Sequence, residues 1–472
     1  MKPITIDEIV KATNGRLLFG DPNAKVTGVV HDSRQAKEGD LFVPIIGAKV
    51  DAHCYIPDVL AAGATCVLSS EENIEEGKGA CVLVEDTIKA LQMLAGWYRD
   101  QFDIPVVGVT GSVGKTSTKE MIGTVLSKKY NTLITYKNLN SQIGLPLMVF
   151  HIEEDTEVAV LEMGVSLFDE MDALVEIAKP SSAVITNIGL AHIGNFKTRE
   201  NICAQKGRII KEFGDDGRIF ACANGDLYDL IRTNLPYDCC KGECRVSFYG
   251  IKDDIKTDMS QISSFASDIR VENGQEKFTY HHGDEQIDVS LAVMGDHNVT
   301  NAVVAIAVGR MLGVSLEDAA EAVSEYKPLS MRGEIHHTKG MHIIDDTYNA
   351  SPDSIRSNLR ALFSHEGNGR RIAVLGDVLE LGDMSAELHK SIGAYIVSEA
   401  KAGRRLDAVY CVGKESKEII KFLQANSDIE CYGYDDNFSL IKALKNDLKE
   451  EDWVIMKASR GMHLDDVVKA VI

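Results

Sequence analysis

Two glycines, a lysine and a threonine between an apolar run and a helical one are the residues whose spacing most directly implies chemistry. The stretch reads Val106-Val107-Gly108-Val109-Thr110-Gly111-Ser112-Val113-Gly114-Lys115-Thr116-Ser117. Glycines at 111 and 114 let backbone N–H groups wrap a phosphate, a helix N-terminus adds the positive end of its dipole, and Lys115 supplies a point charge. Thr116 is then placed to hold Mg²⁺ through its hydroxyl. The common phosphate-loop spacing, G-x-x-x-x-G-K-[ST], would need glycine at 109, where valine stands, so this is the shorter T-G-x-x-G-K-T form. The competing reading is a glycine-rich turn whose lysine is merely exposed.

Further candidates follow the loop. Glu162 closes the apolar run Val158 to Leu161, and Asn187 and His192 follow the run Ala183 to Thr186. Ligands of doubly wound sheets collect at such carboxyl edges, so Glu162 can serve the metal that Thr116 holds and His192 reads as a metal ligand. Lys206 shares a helical face with Ile202, Ile209, Ile210 and Phe213. Burial there would favour a neutral amine, which can be carbamylated into an anionic metal ligand. A lysine snorkelling from the stripe's edge fits the same spacing, and spacing alone favours it. Asn298 and Asn301, one turn apart, suit the edge of a base but would also serve as caps. Asn138 and Asn140 can order a substrate or make turns. Ser33 beside Arg34 can grip a diphosphate or a uracil edge, or sit in a solvated turn.

The elements that must position these groups are α/β throughout. Ile104 to Val109 is short and valine-rich enough for a buried parallel strand, and Met121, Ile122, Val125 and Leu126 recur at helical spacing after it. Before it, strand-like runs span Val26 to Val30, Asp40 to Ile46 and Cys66 to Ser69, with a helix through Ile56 to Ala62 and another ending near Tyr98 to Phe102. Residues 236 to 290 alternate short β-rich runs with polar turns and carry Cys239, Cys240 and Cys244, without a histidine pair at zinc spacing. Beyond Tyr326-Lys327-Pro328, strands at Met341 to Ile344, Arg371 to Leu375, Ala408 to Val412 and Trp453 to Met456 alternate with helices, as in a Rossmann-like domain. Its Gly376-Asp377 turn is not G-x-G-x-x-G, so no dinucleotide cofactor is expected. Three domains follow: 1–100, 101–327 and 328–472.

The 472 residues carry 50 Lys and Arg against 71 Asp and Glu, a net charge of −21. That field repels nucleic acid and anionic membrane alike. The N-terminus lacks an apolar core and a cleavage site, and no apolar run approaches the roughly 18 residues of a spanning helix, so a cytosolic chain without a membrane span is expected. The scattered cysteines read as reduced thiols.

Along essentially its whole length the chain resembles the Mur ligase family. The resemblance rests on Asp32-Ser33-Arg34 with Gly39-Asp40-Leu41-Phe42; on Gly111 to Thr116; on Asn187 to His192 with Lys206; on Gly295-Asp296-His297-Asn298; and on Asp345 to Pro352. Gly376 to Gly382 and Lys457 to Met462 look like the branch that adds D-alanyl-D-alanine to a UDP-N-acetylmuramoyl tripeptide. Ala52 and Ala458 stand where the family usually has glycine, and neither removes a group that does chemistry.

The resemblance implies an N-terminal domain that binds the UDP-precursor, a central P-loop ATPase domain, and a C-terminal domain that helps to hold ATP and the incoming amine. It implies that the tripeptide carboxylate attacks the γ-phosphate of ATP, and that the amine then displaces phosphate from the acyl phosphate. By similarity, Thr110 to Ser117 hold ATP, and Lys115 neutralises charge on its β- and γ-phosphates. Thr116 and Glu162 hold one Mg²⁺, and His192 with carbamylated Lys206 serves a second, which reverses the reading of Lys206 from spacing. Asn298 and Asn301 would meet adenine, Arg332 and Asp346 would reach the nucleotide, Ser33 and Arg34 would face the UDP end, and Asn138 and Asn140 would border the substrate. A monomer is expected. A sister ligase that adds one amino acid to the UDP-muramoyl dipeptide shares most of these motifs, and a P-loop kinase or nucleotide-switch protein shares only the glycine turn.

Overall fold

Short β-branched runs build the main sheets of the molecule, which we describe from a computed structural model covering residues 1–47, 49–272, 275–365 and 369–472. The first sheet runs in the order Arg16–Phe19, Ala80–Leu83, Cys66–Ser69, Asp40–Phe42, Gly28–Val30, parallel except at its first pair. The expected run from Val26 to Val30 breaks at Thr27: Lys25–Val26 pairs instead with Ile4–Thr5. The run from Asp40 ends at Phe42 rather than at Ile46.

The central sheet has nine strands. From one edge these are Thr132–Ile134, Val158–Glu162, Val106–Thr110, Ser182–Ile185, Arg218–Cys222, Arg245–Ile251 and Ile262–Glu272, all parallel, followed by the antiparallel Gln275–His282 and Glu285–Leu291. Val106–Thr110 is buried along its whole length, as expected of a parallel strand covered on both faces. Its two neighbours, Val158–Glu162 and Ser182–Ile185, occur later in the chain and lie on opposite sides of it. Carboxyl edges from three segments therefore meet at the loop that follows. Residues 236 to 290, expected as short strands between polar turns, instead prolong this sheet, with Ile262–Glu272 as an 11-residue strand. One face of this extension is polar, and that alternation reads as a series of turns in the sequence. The helix Asp296–Met311 packs across the sheet beside Lys115–Leu126, and its start is held by Glu276, whose Oε2 accepts from Gly295 N–H. Burial pushes the Glu276 carboxyl up to about 7.

The C-terminal sheet runs Glu334–Thr338, Met341–Asp345, Trp453–Lys457, Arg371–Gly376, Ala408–Val412, Glu430–Tyr434, parallel except at its first pair. Its two edge strands are absent from the sequence reading because each exposes alternate or most residues and lacks an apolar run. Ser351 caps the helix Pro352–Ser364 with a reciprocal bond to Ser354, and Pro352 sits in the first turn, where its missing N–H costs nothing. The architecture is thus three-domain α/β, with a central P-loop sheet and a Rossmann-like C-terminal sheet. Among the described residues no helix is long and apolar enough to cross a membrane, and all ten cysteines are free.

Candidate active site

The glycines of the loop are required by space as well as by conformation. Gly111 has φ +145° and a Cβ there would lie 2.0 Å from Thr186 Oγ1; Gly114 has φ +85° as it enters the helix Lys115–Leu126. The segment after Ser182–Ile185 clamps the loop. Ser112 N–H donates to Asn187 O at 3.0 Å, Val113 N–H to Asn187 Oδ1 at 2.8 Å, and Gly189 N–H to Ser112 Oγ at 2.9 Å. The N–H groups of Gly114, Lys115, Thr116 and Ser117 donate to no carbonyl among the described residues. Four free donors at a helix start, fixed from behind, form an anion cradle.

Lys115 folds back so that its Nζ donates to Gly111 O at 3.0 Å. Burial holds its ammonium below the ordinary lysine range, Glu162 opposes that shift, and the charge of Arg332 adds to it. Thr116 donates to Glu162 Oε2 at 2.9 Å, and Asn140 Nδ2 donates to Glu162 Oε1 at 2.8 Å. Glu162 is only 2% exposed. Asn140, read from sequence as a substrate group, therefore spends its amide on this acid, because its loop crosses the same strand edge. Asn138 does line a cleft of about 300 Å³ between the central and C-terminal sheets, with His192, Tyr348, Glu380, Leu381 and Arg460.

His192 sits at φ +60°, with Nδ1 2.6 Å from Glu380 Oε2 but off the hydrogen-bond direction. Burial keeps the imidazole below its ordinary pKa and so neutral; positive charge on Lys206 would push the same way, and Glu380 opposes it. Lys206 is 1% exposed, which removes the snorkelling alternative, and Ile202, Ile209, Ile210 and Phe213 on the same stripe are fully buried. Desolvation pushes its amine well below the ordinary lysine value, and Lys115 pushes the same way.

Each of the two asparagines spends one amide atom inside the protein. Asn298 Nδ2 donates to Met294 O at 2.9 Å, back along its own helix start. Asn301 lies behind the loop, accepting from Thr118 Oγ1 at 2.9 Å, where it braces the two helices against each other. Neither amide presents its full edge to a base, because helical spacing fixes the face and not the partner.

Arg332 stacks at 3.8 Å over the Tyr348 ring, and Asp346 takes Lys457 Nζ at 2.5 Å and also accepts from Asn358. Ser33 and Arg34 are not brought to the loop. Arg34 is forked onto Asp32 in a short turn of the first sheet, its Nη2 at 2.6 Å, and this holds the Asp32 carboxyl down to about 2.

Three residues that the sequence reading left without a role hold neighbours of these groups, and one of them, Glu380, lines the cleft. Asp353 Oδ2 accepts from Leu190 N–H at 2.8 Å, Glu380 faces His192, and Lys457 holds Asp346. Glu380 and Lys457 lie within stretches already singled out by resemblance; Asp353 gave no signal beyond following Pro352.

Three family models match in sequence order: the Mur ligase family catalytic domain over residues 25–101, the Mur ligase middle domain over 109–309, and the Mur ligase glutamate ligase domain over 331–460. The chain is 35% identical over 478 aligned residues to the UDP-N-acetylmuramoyl-tripeptide--D-alanyl-D-alanine ligase of Bacillus subtilis (strain 168), covering 99% of this chain and 98% of the relative. It resembles a crystal structure of MurF from Acinetobacter baumannii with TM-score 0.87 and 28% identity, covering 100% of this chain and 99% of that one. The MurF ligase of Thermotoga maritima, solved in complex with ADP, matches with TM-score 0.80 and 29% identity over 94% of this chain and 96% of that one.

Proposed function

The chain belongs to the Mur ligase family, and we propose the activity that its fold and site support best: ATP-dependent ligation of D-alanyl-D-alanine to UDP-N-acetylmuramoyl-tripeptide. The enzyme is an amide-bond-forming ligase of peptidoglycan synthesis. A carboxylate is a poor electrophile, so its oxygen first attacks the γ-phosphorus of ATP and ADP departs. The dipeptide amine then adds to the acyl carbon and phosphate leaves with the activating oxygen. The products are the UDP-muramoyl pentapeptide, ADP and phosphate.

The observation that carries this reading is the meeting, at one sheet edge, of the free N–H groups of Gly114 to Ser117 with Lys115, Thr116 and buried Glu162. In this reading the loop from Thr110 to Ser117 seats the phosphates, and Lys115 swings from Gly111 O to the anion. The site brings two anions together, and fixed positive groups offset that repulsion. Thr116 and Glu162 are an all-oxygen donor pair, which fits Mg²⁺. When bound, Mg²⁺ draws charge from the phosphate oxygens.

Lys206 as an ammonium offers no ligand to a second ion, and as a neutral amine it suits oxygen-seeking Mg²⁺ poorly. Its depressed basicity leaves a lone pair free to attack carbon dioxide, with loss of a proton, and the carbamate so formed would be an anion beside Lys115 and His192. His192, kept neutral, would join it as a ligand. Arg332 and Asp346 reach the nucleotide from the C-terminal side, Asn138 borders the substrate cleft, and Ser33 with Arg34 meets the UDP end. Asn298, and Asn301 from behind the loop, line the approach to adenine. We set the domain limits at 100 and 327, and assign the protein to the cytoplasm as a monomer, because its nucleotide-linked substrates are made there and one chain supplies every group named.

The test is product formation. Purified protein given ATP, Mg²⁺, the UDP-muramoyl tripeptide and D-alanyl-D-alanine should yield the pentapeptide with one phosphate per bond. Lys115→Ala should lower turnover by about 10²-fold or more, the scale of losing a transition-state charge partner. Absence of pentapeptide overturns the reading, and near-normal turnover by the folded variant overturns the role of Lys115.

A further inference from the structure

Glu334 and His336 lie two positions apart on Glu334–Thr338, so the period of the strand puts them on one face, and Asp345 is the cross-strand partner of Glu334. His336 Nε2 is 3.8 Å from Glu334 Oε2 and 3.8 Å from Asp345 Oδ2. One ligand atom from each of the three lies within 4.8 Å of the others, and among the described residues no other group of three or more His, Cys, Asp or Glu gathers this closely.

These separations are too long for hydrogen bonds. Glu334 Oε2 and His336 Nε2 are both shielded from solvent and have no hydrogen-bond partner. The Asp345 side chain is 6% exposed, and its Oδ1 accepts from Thr347 N–H at 3.1 Å and from Thr347 Oγ1 at 2.6 Å. Its Oδ2 accepts no hydrogen bond among the described residues and faces His336. A protonated imidazole holding two carboxylates together would close to hydrogen-bond distance on at least one of them, and His336 does so on neither. Two donors bound to one ion at about 2.1 Å can lie up to about 4.2 Å apart. The gaps at His336 are therefore within the reach of a shared cation.

We propose that Glu334, His336 and Asp345 form a binding site for a divalent transition-metal ion, separate from the phosphate loop. One imidazole with two carboxylates suits Zn²⁺, Mn²⁺ or Fe²⁺ better than Mg²⁺ or Ca²⁺, which take oxygen ligands. Three protein donors leave further positions to water. The ion ties together the two strands whose ends carry Arg332 and Asp346, so its role is to fix the register of that pair. The site does not depend on the ligase reading.

Zn²⁺ alone, with no substrate present, is the probe. Metal-free full-length protein is dialysed against Zn²⁺, the metal retained per chain is counted, and melting temperature is followed with and without the ion. The wild type should retain one more ion per chain than either His336→Ala or the conservative Glu334→Gln, and Zn²⁺ should raise the melting temperature of the wild type but of neither of these variants. His337→Ala, on the opposite face of the same strand, should behave as wild type. Co²⁺ in place of Zn²⁺ should give a spectrum without a thiolate band, which separates this site from the cysteines. Equal metal content in wild type and both variants, equal melting shifts, or a thiolate band that accounts for all the bound ion would each overturn the proposal.

Discussion

The Thr116 hydroxyl donates to Glu162 Oε2 at 2.9 Å, joining the first turn of the phosphate-loop helix to the carboxyl edge of the neighbouring parallel strand, 46 positions away in sequence. In the proposed function these two oxygens would hold Mg²⁺. Thr116→Ala should lower turnover by about 10²-fold and raise the Mg²⁺ concentration needed for half-maximal rate, whereas Thr116→Ser should keep most activity. Phosphate release measured across a Mg²⁺ titration checks this. Equal Mg²⁺ dependence in all three proteins would remove the pair from the metal site.

Carbamylation of Lys206 makes a different kind of prediction. Burial lowers the lysine's pKa, so the reactive neutral amine is present at neutral pH and its share grows as pH rises toward the ordinary lysine value. Activity lost on stripping carbon dioxide should return with bicarbonate. Lys206→Ala should be nearly inactive and partly rescued by short carboxylates that fill the carbamate position. Activity indifferent to bicarbonate, with an unmodified lysine in the intact mass, would contradict the modification.

Glu276 sets a pH dependence of stability. Its carboxyl is raised from 4.5 to about 7 by burial, so between those values the folded chain holds a proton that the unfolded chain has lost. Stability from this group is complete below about pH 4.5 and falls as pH rises through about 7. Glu276→Gln, which stays neutral and still accepts from Gly295 N–H, should flatten that fall and gain at most about 3 kcal/mol at neutral pH. Denaturant midpoints at pH 5 and pH 8 for both proteins test it; parallel curves would count against the raised carboxyl.

Much of the fold was legible in sequence because its parallel strands are short, mostly apolar runs next to glycine turns, as at Val106–Thr110, Arg371–Gly376 and Ala408–Val412. Other strands were not: the edge strand Glu334–Thr338 exposes alternate residues, and Ile262–Glu272 buries only alternate residues over its first half and leaves most of its second half exposed. The phosphate loop was legible because its groups are adjacent in the chain. Long-range partners were not, since nothing local ties His192 to Glu380, Leu190 to Asp353 or Asp346 to Lys457. Lys206 lay between these cases, because one helical stripe fits both a buried amine and a snorkelling one. Only packing distinguishes them.

Choice of acceptor is open to direct test. Relatives that add meso-diaminopimelate typically carry an Asp-Asn-Pro-Arg stretch whose arginine forks onto the extra carboxylate, and no such stretch occurs between Tyr326 and Ile472. With the UDP-muramoyl tripeptide, phosphate release should follow D-alanyl-D-alanine and not meso-diaminopimelate or L-lysine. Release with the UDP-muramoyl dipeptide and a diamino acid would overturn the assignment of branch while leaving the family in place.

In the proposed reaction the site activates a carboxylate by transferring the γ-phosphoryl group of ATP to it. The most direct test of that step is to label the terminal carboxylate of the UDP-muramoyl tripeptide with ¹⁸O, run the ligation with ATP and D-alanyl-D-alanine in unlabelled water, and weigh the released phosphate. Attack by that carboxylate on phosphorus predicts one ¹⁸O in each phosphate and one remaining in the new amide carbonyl. Phosphate without ¹⁸O, formed together with pentapeptide, would rule out the acyl phosphate.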